Sequence, residues 1–285
     1  MTRSQSSFVS PSGLTLAVHD WGGTGAPVLL AHPTGFHGVV WRPVAERLVA
    51  AGRRVWSFDF RGHGDSDPSP DGRYSWHEFA DDADAVLDHL GLRGDPDLLV
   101  CGHSKGGAAL LLVAHRDPTA FPRLWAFEPI VFPFEDTDVE PDPDNPMASA
   151  ARRRRAVWDS RDEVFASYSA RPPLNALTAD ALHAYVDYGF RDLPDGTVEL
   201  KCHPEHEAAV FTMGIANGVY GVLEHVAVPV LVACGTDTDA ITPKFAERIV
   251  ARLPQGTLEV WDGLGHFGPI EDPDRAVASM LRSAD

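Results

Sequence analysis

Short apolar runs alternate with amphipathic segments along most of the chain, and this alternation predicts the fold. The apolar runs are typical of buried strands, and the segments between them repeat apolar residues with helical spacing. The predicted strands are PVLLAH (27–32), RRVWSFDF (53–60), DLLVC (97–101), RLWAFEPIVF (123–132), VPVLVACG (228–235) and TLEVWDG (257–263), and the predicted helices cover 41–51, 75–91, 106–116, 242–254 and 272–284. Strands that alternate with helices indicate an α/β fold with a doubly wound, mostly parallel sheet.

The pattern departs from the alternation of strands and helices at two places, the start of the chain and its middle. The opening segment FVSPSGLTLAVHDWGG (8–23) predicts two short strands around a Pro-Ser-Gly turn. In the middle the alternation fails from 133 to 225, where a proline- and acid-rich stretch, PFEDTDVEPDPDNP, precedes two predicted helical stretches at 150–169 and 178–189. We therefore expect a core domain formed by 1–132 and 226–285, interrupted by a mostly helical cap insertion at 133–225 that packs on the sheet.

A serine lies between a strand and a helix in the sequence Gly102-His103-Ser104-Lys105-Gly106-Gly107. The pattern G-x-S-x-G in this context is typical of a nucleophile elbow, a tight turn that exposes the serine hydroxyl at the carboxyl edge of the sheet. A Cβ at the flanking glycines would clash in such a turn. The first amides of the following helix point toward the same place and favour a developing oxyanion. Ser104 is therefore the candidate nucleophile.

A serine hydroxyl needs a base, and in this architecture the base is a histidine after the last strand. His266, in the glycine-rich segment WDGLGHFGPIEDP (261–273), is the histidine in that position. An acid should orient its ring. Asp239 follows one strand and Glu128 ends another. The sequence favours these two equally as the acid, and Asp237 is the weaker third candidate.

The loop after the first parallel strand should supply part of the oxyanion hole. The amide of Thr34 is the candidate donor, together with the amide of Lys105. His32, Phe36 and His37 from the same loop, and His103 beside the serine, are candidates to line a substrate pocket.

Composition narrows the function. The formal net charge of −17 argues against nucleic-acid and anionic-membrane partners, which require a basic surface. The first 13 residues carry no apolar signal-like segment and no run approaches the ~20 residues of a membrane span, which predicts a soluble cytoplasmic protein. Cys101, Cys202 and Cys234 lie far apart and are expected to be buried free thiols.

Three other features suggest binding functions at first sight, but each has a simpler structural interpretation. The run RRRR (152–155) is expected to be a solvated face at a helix start rather than a nucleic-acid patch. The segment CHPEHE (202–207) matches no zinc spacing and is expected to be an edge or cap segment. Aromatic residues of the insertion should form mostly its core, with some lining a pocket roof; they are Trp158, Phe165, Tyr168, Tyr185, Tyr188, Phe190 and Phe211.

Together these segments resemble the α/β-hydrolase superfamily over nearly the whole chain. LLAHPTGFHG (29–38) resembles its His-Gly oxyanion loop, with Pro33 where glycine is commoner, and FDFRGHGDSD (58–67) resembles its R-G-x-G-x-S loop. GHSKGG and GLGHFGPIEDP are similar to its nucleophile and histidine motifs. FEPI (127–130) resembles the subset with a glutamate acid, zearalenone-type lactone hydrolases among them, whereas GTDTD (235–239) is similar to the commoner aspartate position. The serine disfavours the aspartate-nucleophile chemistry of haloalkane dehalogenases and epoxide hydrolases.

The resulting expectation is a cofactor-free serine hydrolase, with no metal, that cleaves a carboxylic ester or lactone of a small to medium, partly apolar molecule. Its partner is the small-molecule substrate, and the chain is a monomer or homodimer. A carbon–carbon bond hydrolase of diketones and a non-catalytic ligand-binding receptor on the same fold remain alternatives. The Lys105 side chain either reaches the pocket or Glu128, or extends along its helix to solvent.

Overall fold

A computed structural model describes residues 3–132, 142, 144–214 and 217–284. Most of the proline- and acid-rich stretch predicted to be irregular lies outside these residues.

The predicted α/β fold is confirmed. The strands are β1 (Ser4–Val9), β2 (Thr15–Gly22), β3 (Pro27–Ala31), β4 (Arg54–Phe58), β5 (Leu99–His103), β6 (Arg123–Phe127), β7 (Val157–Trp158), β8 (Phe190–Asp192), β9 (Val198–Leu200), β10 (Val230–Gly235) and β11 (Gly256–Trp261). Within the described ranges, eight of them form one sheet in the order β1-β2-β4-β3-β5-β6-β10-β11. β1 and β2 form the expected antiparallel hairpin, β2 is antiparallel to β4, and the remaining pairs are parallel.

Helices follow most of the strands, as the apolar periodicity predicts. They are α1 (Arg42–Ala50), α2 (Trp76–His89), α3 (Lys105–Arg116), α4 (Pro146–Arg152), α5 (Arg161–Ser169), α6 (Ala179–Gly189), α7 (Pro204–Thr212), α8 (Val219–Val222), α9 (Pro243–Val250), α10 (Gly268–Glu271) and α11 (Pro273–Ser283), with short 3₁₀ turns at Gly38–Trp41, Leu174–Ala176 and Leu223–His225. Capping side chains fix the residues at which helices begin. The hydroxyl of Ser75 accepts a hydrogen bond from the Glu78 amide at 3.2 Å and caps α2.

Side chains that alternate along the central strands divide the core between the two faces of the sheet. In β5, Val100 packs with α2, α3 and α9 on one face, while Leu99 and Cys101 pack with α1 and α11 on the other. This is why central strands of a parallel sheet are apolar without interruption, since both of their faces are covered.

The insertion between β6 and β10, described here from residues 144–214 and 217–225, is less helical than expected. The prediction of one helical stretch over 150–169 is wrong, because α4 ends at Arg152 and β7 separates it from α5. β7, β9 and β8 form a small antiparallel sheet of three strands in the described part of the insertion. The prediction of a helix over 178–189 is confirmed by α6.

The insertion packs directly on the core. Tyr185 and Phe190 belong to the same buried apolar cluster as Phe36, Trp41 and Val44 of the core. Because one continuous cluster joins the two parts, burial of apolar surface holds the insertion against the sheet face that carries α1.

Two further observations concern membrane-spanning helices and the cysteines. In the described ranges, none of the helices combines the length and apolarity that crossing a bilayer requires. Cys101, Cys202 and Cys234 are buried and free, as the sequence predicts.

Candidate active site

Ser104 lies at a strained turn between β5 and α3. Its φ of 55° and ψ of −116° lie in a region that non-glycine residues rarely adopt. Gly102 makes the turn possible, because a Cβ there would lie 2.5 Å from the Gly107 amide nitrogen and 2.6 Å from the Gly106 carbonyl carbon. Gly106 in turn packs against the Ala31 carbonyl at the end of β3. The turn therefore holds the hydroxyl at the carboxyl edge of the sheet, where α3 begins.

The imidazole of His266 lies beside this hydroxyl. Its Nε2 is 3.2 Å from Ser104 Oγ, and its Nδ1 is 2.7 Å from Glu128 Oε2. Because an ionised carboxylate only accepts hydrogen bonds, Nδ1–H donates to Glu128 and Nε2 is left to accept the serine proton. The three side chains form a continuous hydrogen-bonded chain, with Ser104 only 5% exposed.

Glu128 is fixed at the end of β6. Its side chain is fully buried, and its backbone φ of 40° is positive. Oε1 accepts from the Gly235 amide at 3.0 Å, and Oε2 accepts from the Thr238 hydroxyl at 2.8 Å as well as from His266. Such a set of donors holds the carboxylate in one orientation.

The other two acidic candidates lie elsewhere. Asp237 and Asp239 are both exposed on the loop after β10. Within the described ranges, neither makes a hydrogen bond or ion pair to His266, whose Nδ1 faces Glu128. The loop still contributes, because its Thr238 hydroxyl binds the Glu128 carboxylate.

The two amides expected to bind an oxyanion occupy corresponding positions after two adjacent strands. Ala31 and Gly102 are paired in register between β3 and β5, and Thr34 and Lys105 each follow three residues later. Among the described residues, neither amide donates a hydrogen bond to another group. Both N–H groups therefore remain available as hydrogen-bond donors, which is what stabilisation of a developing negative charge requires.

Three of the four residues predicted to line a substrate pocket are not among the residues that line the cavity described below. His32, His37 and His103 are buried, and backbone groups engage their rings: His32 bonds the Phe60 amide, His37 the Tyr185 carbonyl and His103 the His266 carbonyl. Burial lowers the pKa of His37 to about 4 and holds the pKa values of His32 and His103 well below the ordinary range, so all three are neutral. Their role is structural, because each ring holds a backbone group near the site.

The fourth residue, Phe36, lines a cavity. The cavity has a volume of about 1020 Å³ and lies between the oxyanion loop and the insertion. Thr34 and Phe267 form its floor with Phe36, and four of the seven aromatic residues singled out in the insertion also line it; these are Trp158, Tyr168, Tyr185 and Phe211. It is large enough for a medium-sized molecule.

The run of four arginines departs from its expected solvated role. It begins at the last residue of α4 rather than at a helix start, and the Arg154 side chain is only 21% exposed. Arg154 turns into the cavity, where it pairs with Glu207 and donates to the Tyr185 hydroxyl at 2.6 Å. The expectation that this run is only a solvated face is wrong for Arg154, since its partners lie in α6 and α7, far along the chain.

The Lys105 side chain reaches neither the pocket nor Glu128, and it does not extend along its helix to solvent. It is completely buried beneath the turn, with Nζ 4.5 Å and 4.4 Å from the ring centroids of Phe60 and Phe79. Nζ also lies 3.3 Å from His63 Nε2, and His63 Nδ1 is engaged by the Arg61 carbonyl. Burial lowers the pKa of Lys105 to about 7, because the charged ammonium loses its water.

Two residues support His266, of which Glu271 escaped the sequence analysis and His103 was expected to line a pocket instead. Glu271 accepts from the Gly265 amide at 3.1 Å and from the Phe267 amide at 3.0 Å, so one carboxylate holds both sides of His266. His103 Nε2 donates to the carbonyl of His266 itself at 2.7 Å. The only available signal for Glu271 was an acid five residues after the candidate base in HFGPIE.

The segment CHPEHE starts a helix. His203 caps α7 by accepting from the Glu205 amide at 3.3 Å. In the part of the chain that the structure describes, no three His, Cys, Asp or Glu side chains are grouped in a way that could hold a metal ion.

Comparison with known proteins agrees with this architecture. The model of the α/β hydrolase family matches residues 28–280, and the chain belongs to that family. It is therefore a hydrolase.

Relatives and solved structures cover nearly the whole chain. It is 29% identical over 265 residues to the non-heme chloroperoxidase CPO-A1 of Kitasatospora aureofaciens, covering 89% of each chain. It is 26% identical to the monoacylglycerol lipase of Mycolicibacterium smegmatis, covering 93% of this chain and 90% of that one. The crystal structure of E-2-(acetamidomethylene)succinate hydrolase superposes with a TM-score of 0.84 at 20% identity, over 99% of both chains, which shows a shared fold.

Replacement of Lys105 tests the cost of its burial. Below about pH 7 the amine is charged in both folded and unfolded chains, so folding bears the full desolvation cost. As the pH rises from 7 toward 10.5, the ordinary value, only the unfolded chain stays charged and the cost disappears. We expect Lys105→Met to raise the Tm by about 5 °C at pH 6.5 and by much less at pH 10.

Differential scanning fluorimetry across this pH range measures the effect, with the exposed Lys244→Met as control. A Tm difference for Lys105→Met that is independent of pH, or a lower Tm throughout, contradicts this account.

Replacement of Glu271 tests the support of the histidine loop. In Glu271→Gln one carboxylate oxygen becomes an NH₂ group that cannot accept from a backbone amide, so the loop loses one anchor. We expect kcat on a chromogenic ester to fall about 10-fold with KM nearly unchanged, because misplaced reacting groups slow the chemical step. Steady-state kinetics measure this, with Asp274→Asn on α11 as control. Equal losses in both variants, or an effect on KM alone, would count against it.

Proposed function

We propose that the chain hydrolyses a carboxylic ester or lactone through an acyl-enzyme, with Ser104 as nucleophile, His266 as general base and acid, and Glu128 as the residue that orients His266. One observation carries this proposal: the continuous hydrogen-bonded chain from Ser104 Oγ through both ring nitrogens of His266 to Glu128, with distances of 3.2 Å and 2.7 Å. This is the arrangement that activates a serine hydroxyl at neutral pH.

The reaction begins when Ser104 Oγ attacks the substrate carbonyl carbon and its proton passes to His266 Nε2. The imidazolium that forms is stabilised by the buried Glu128 carboxylate. Negative charge moves onto the carbonyl oxygen, where the amides of Thr34 and Lys105 receive it. The carbon–oxygen bond to the leaving group then breaks, and Nε2–H protonates the departing alcohol.

Water completes the cycle. His266 removes a proton from a water molecule, which attacks the acyl carbon of the ester to Ser104. The bond to Oγ breaks, Oγ regains the proton from Nε2, and the acid product leaves. A lactone follows the same path, except that the alcohol stays attached to the acyl group throughout and the product is a single hydroxy acid.

Two features support esters and lactones as the substrate class. Thr34 lines the cavity, so a molecule held there lies near the Thr34 amide, one of the two expected oxyanion donors. The monoacylglycerol lipase relative is named for ester hydrolysis. The apolar and aromatic side chains of the cavity fit a small to medium, partly apolar molecule.

The insertion acts as a cap in this proposal. Residues 1–132 and 226–285 supply the catalytic groups, and residues 133–225 cover them. The cavity supports this division, because its floor comes from the first part and most of its remaining wall from the second. A cover of this kind limits water at the reacting carbonyl and strengthens the electrostatic interactions there.

Comparing two amide variants tests the assignment of the acid. Amidation of the acid in a Ser-His-Asp triad lowers kcat about 10⁴-fold, because the histidine is no longer held in the productive tautomer. We expect Glu128→Gln to lose about that factor on p-nitrophenyl butyrate, whereas the exposed Asp239→Asn should retain activity within about 3-fold.

Stopped-flow kinetics on the same ester extend the test. A burst of p-nitrophenol equal to the enzyme concentration, followed by turnover, indicates an acyl-enzyme. A non-catalytic receptor would give no turnover, and a large loss in Asp239→Asn with an active Glu128→Gln would reverse the assignment of the acid.

A further inference from the structure

The charge of the cavity wall is opposite in sign to that of the whole protein. Four arginines and two glutamates line the cavity among the described residues, a formal balance of 4 − 2 = +2, whereas the chain carries −17. The charged lining residues are Arg153, Arg154, Arg155, Arg171, Glu163 and Glu207. A positive cleft on an acidic protein attracts anionic ligands and raises their local concentration.

Arg154 is the most enclosed of these arginines. Its Nη1 pairs with Glu207, and its Nη2 donates to the hydroxyls of Tyr185 at 2.6 Å and Tyr168 at 3.3 Å. Burial alone would lower the pKa of Arg154, but the fields of Tyr185 and Glu207 raise it well above the ordinary value, so the guanidinium stays charged. These partners hold its plane fixed in the wall.

The pairing leaves donors unused. A guanidinium has five N–H groups, and these contacts account for three. Among the described residues, the second Nη1–H and the Nε–H of Arg154 have no acceptor, and neither has the Tyr168 hydroxyl proton. Three donors on two side chains that line one cavity match the hydrogen-bonding needs of a carboxylate.

This group lies next to the oxyanion loop. The Tyr185 hydroxyl, which accepts from Arg154, donates to the Gly35 carbonyl at 3.2 Å. Arg154 Nη1 also lies 3.6 Å from the position that a Cβ on Gly35 would occupy. Gly35 directly follows Thr34, so standard backbone dimensions place the guanidinium no more than about 10 Å from the Thr34 amide. A ligand of a few bonds can therefore reach both.

We propose that Arg154 and Tyr168 form a carboxylate-binding subsite, and that the substrate is an anionic ester carrying a free carboxylate joined to the scissile carbonyl by a short apolar chain. This inference rests on the proposed function, since it names the substrate class of the same cavity. Trp158, Phe211 and Met147 supply apolar wall for the chain between the two groups.

Two further arginines strengthen the attraction. Arg153 and Arg171 line the cavity, and within the described ranges neither pairs with an acidic side chain. They are exposed, so water and salt screen them, and they act on the approach of the anion rather than on its final position.

Binding to a variant without turnover tests the subsite independently of catalysis. Isothermal titration calorimetry compares monomethyl adipate with the neutral methyl hexanoate on Ser104→Ala. We expect the anionic ester to bind at least 10-fold more tightly, because hydrogen bonds between charged groups are stronger than those between neutral ones. The same preference should disappear in Ser104→Ala combined with Arg154→Met and Glu207→Gln, a pair of changes that avoids leaving an unpaired buried carboxylate.

Kinetics give the second readout. The ratio of kcat/KM for 4-nitrophenyl hydrogen adipate to that for 4-nitrophenyl hexanoate should fall about 30-fold in Arg154→Met/Glu207→Gln, and less in Arg154→Lys, which keeps the charge. Arg282→Gln removes a distant surface arginine and should leave the ratio as it is. A parallel ratio with 4-carboxyphenyl hexanoate shows whether the carboxylate belongs to the leaving group instead.

The outcomes separate this inference from the proposed function. Loss of the catalytic groups lowers both rates together and leaves calorimetric discrimination in place, whereas loss of folding abolishes binding of both methyl esters. Equal affinity of Ser104→Ala for the two methyl esters, or unchanged ratios in the double variant for both carboxylate-bearing substrates, would overturn the subsite.

Discussion

The site depends on the close approach of the turn after β5 to the end of β3. Ser104 adopts a backbone conformation that costs about 1–3 kcal/mol in a non-glycine residue, and it persists only because the neighbouring structure fixes it. Gly106 lacks the side chain that would push the turn away from Ala31 at the end of β3, and Gly102 lacks the one that would clash within the turn itself. The same approach brings the loop containing Thr34 beside the first turn of α3, so one backbone constraint positions both the nucleophile and the expected oxyanion donors.

The remaining groups are held by strand order. β6 and β10 are adjacent, so the loop after β10 passes over the end of β6 and its Thr238 binds Glu128. His266 reaches the same place from the loop after β11, where Glu271 fixes the amides on both sides of it. Each catalytic candidate is therefore positioned by at least one group from a different segment, which limits motion of the reacting atoms.

Much of this arrangement can be predicted from the sequence, because local patterns encode it. The alternation of apolar strands and amphipathic helices predicts the sheet, and G-x-S-x-G between a strand and a helix predicts the turn at Ser104. The choice between Glu128 and Asp239 is different. Glu128 ends one predicted strand and Asp239 follows another. Only the adjacency of β6 and β10, with the path of the loop after β10, decides which carboxylate faces His266.

The insertion is the least predictable part for a similar reason. Its strands are two or three residues long, too short to show a period, and β7 breaks what looked like one helix. Arg154 belongs to a run of like charges that is usually solvated, yet its partners Glu207 and Tyr185 lie 53 and 31 residues later in the chain. Such contacts between distant residues leave no local signal.

A crystal structure of the protein treated with a small fluorophosphonate tests the central claim most directly. The account predicts a single adduct on Ser104 Oγ, with the phosphonyl oxygen about 2.7–3.1 Å from the amide nitrogens of Thr34 and Lys105 and with His266 still bonded to Glu128. An unmodified Ser104, or a phosphonyl oxygen directed away from both amides, would contradict it.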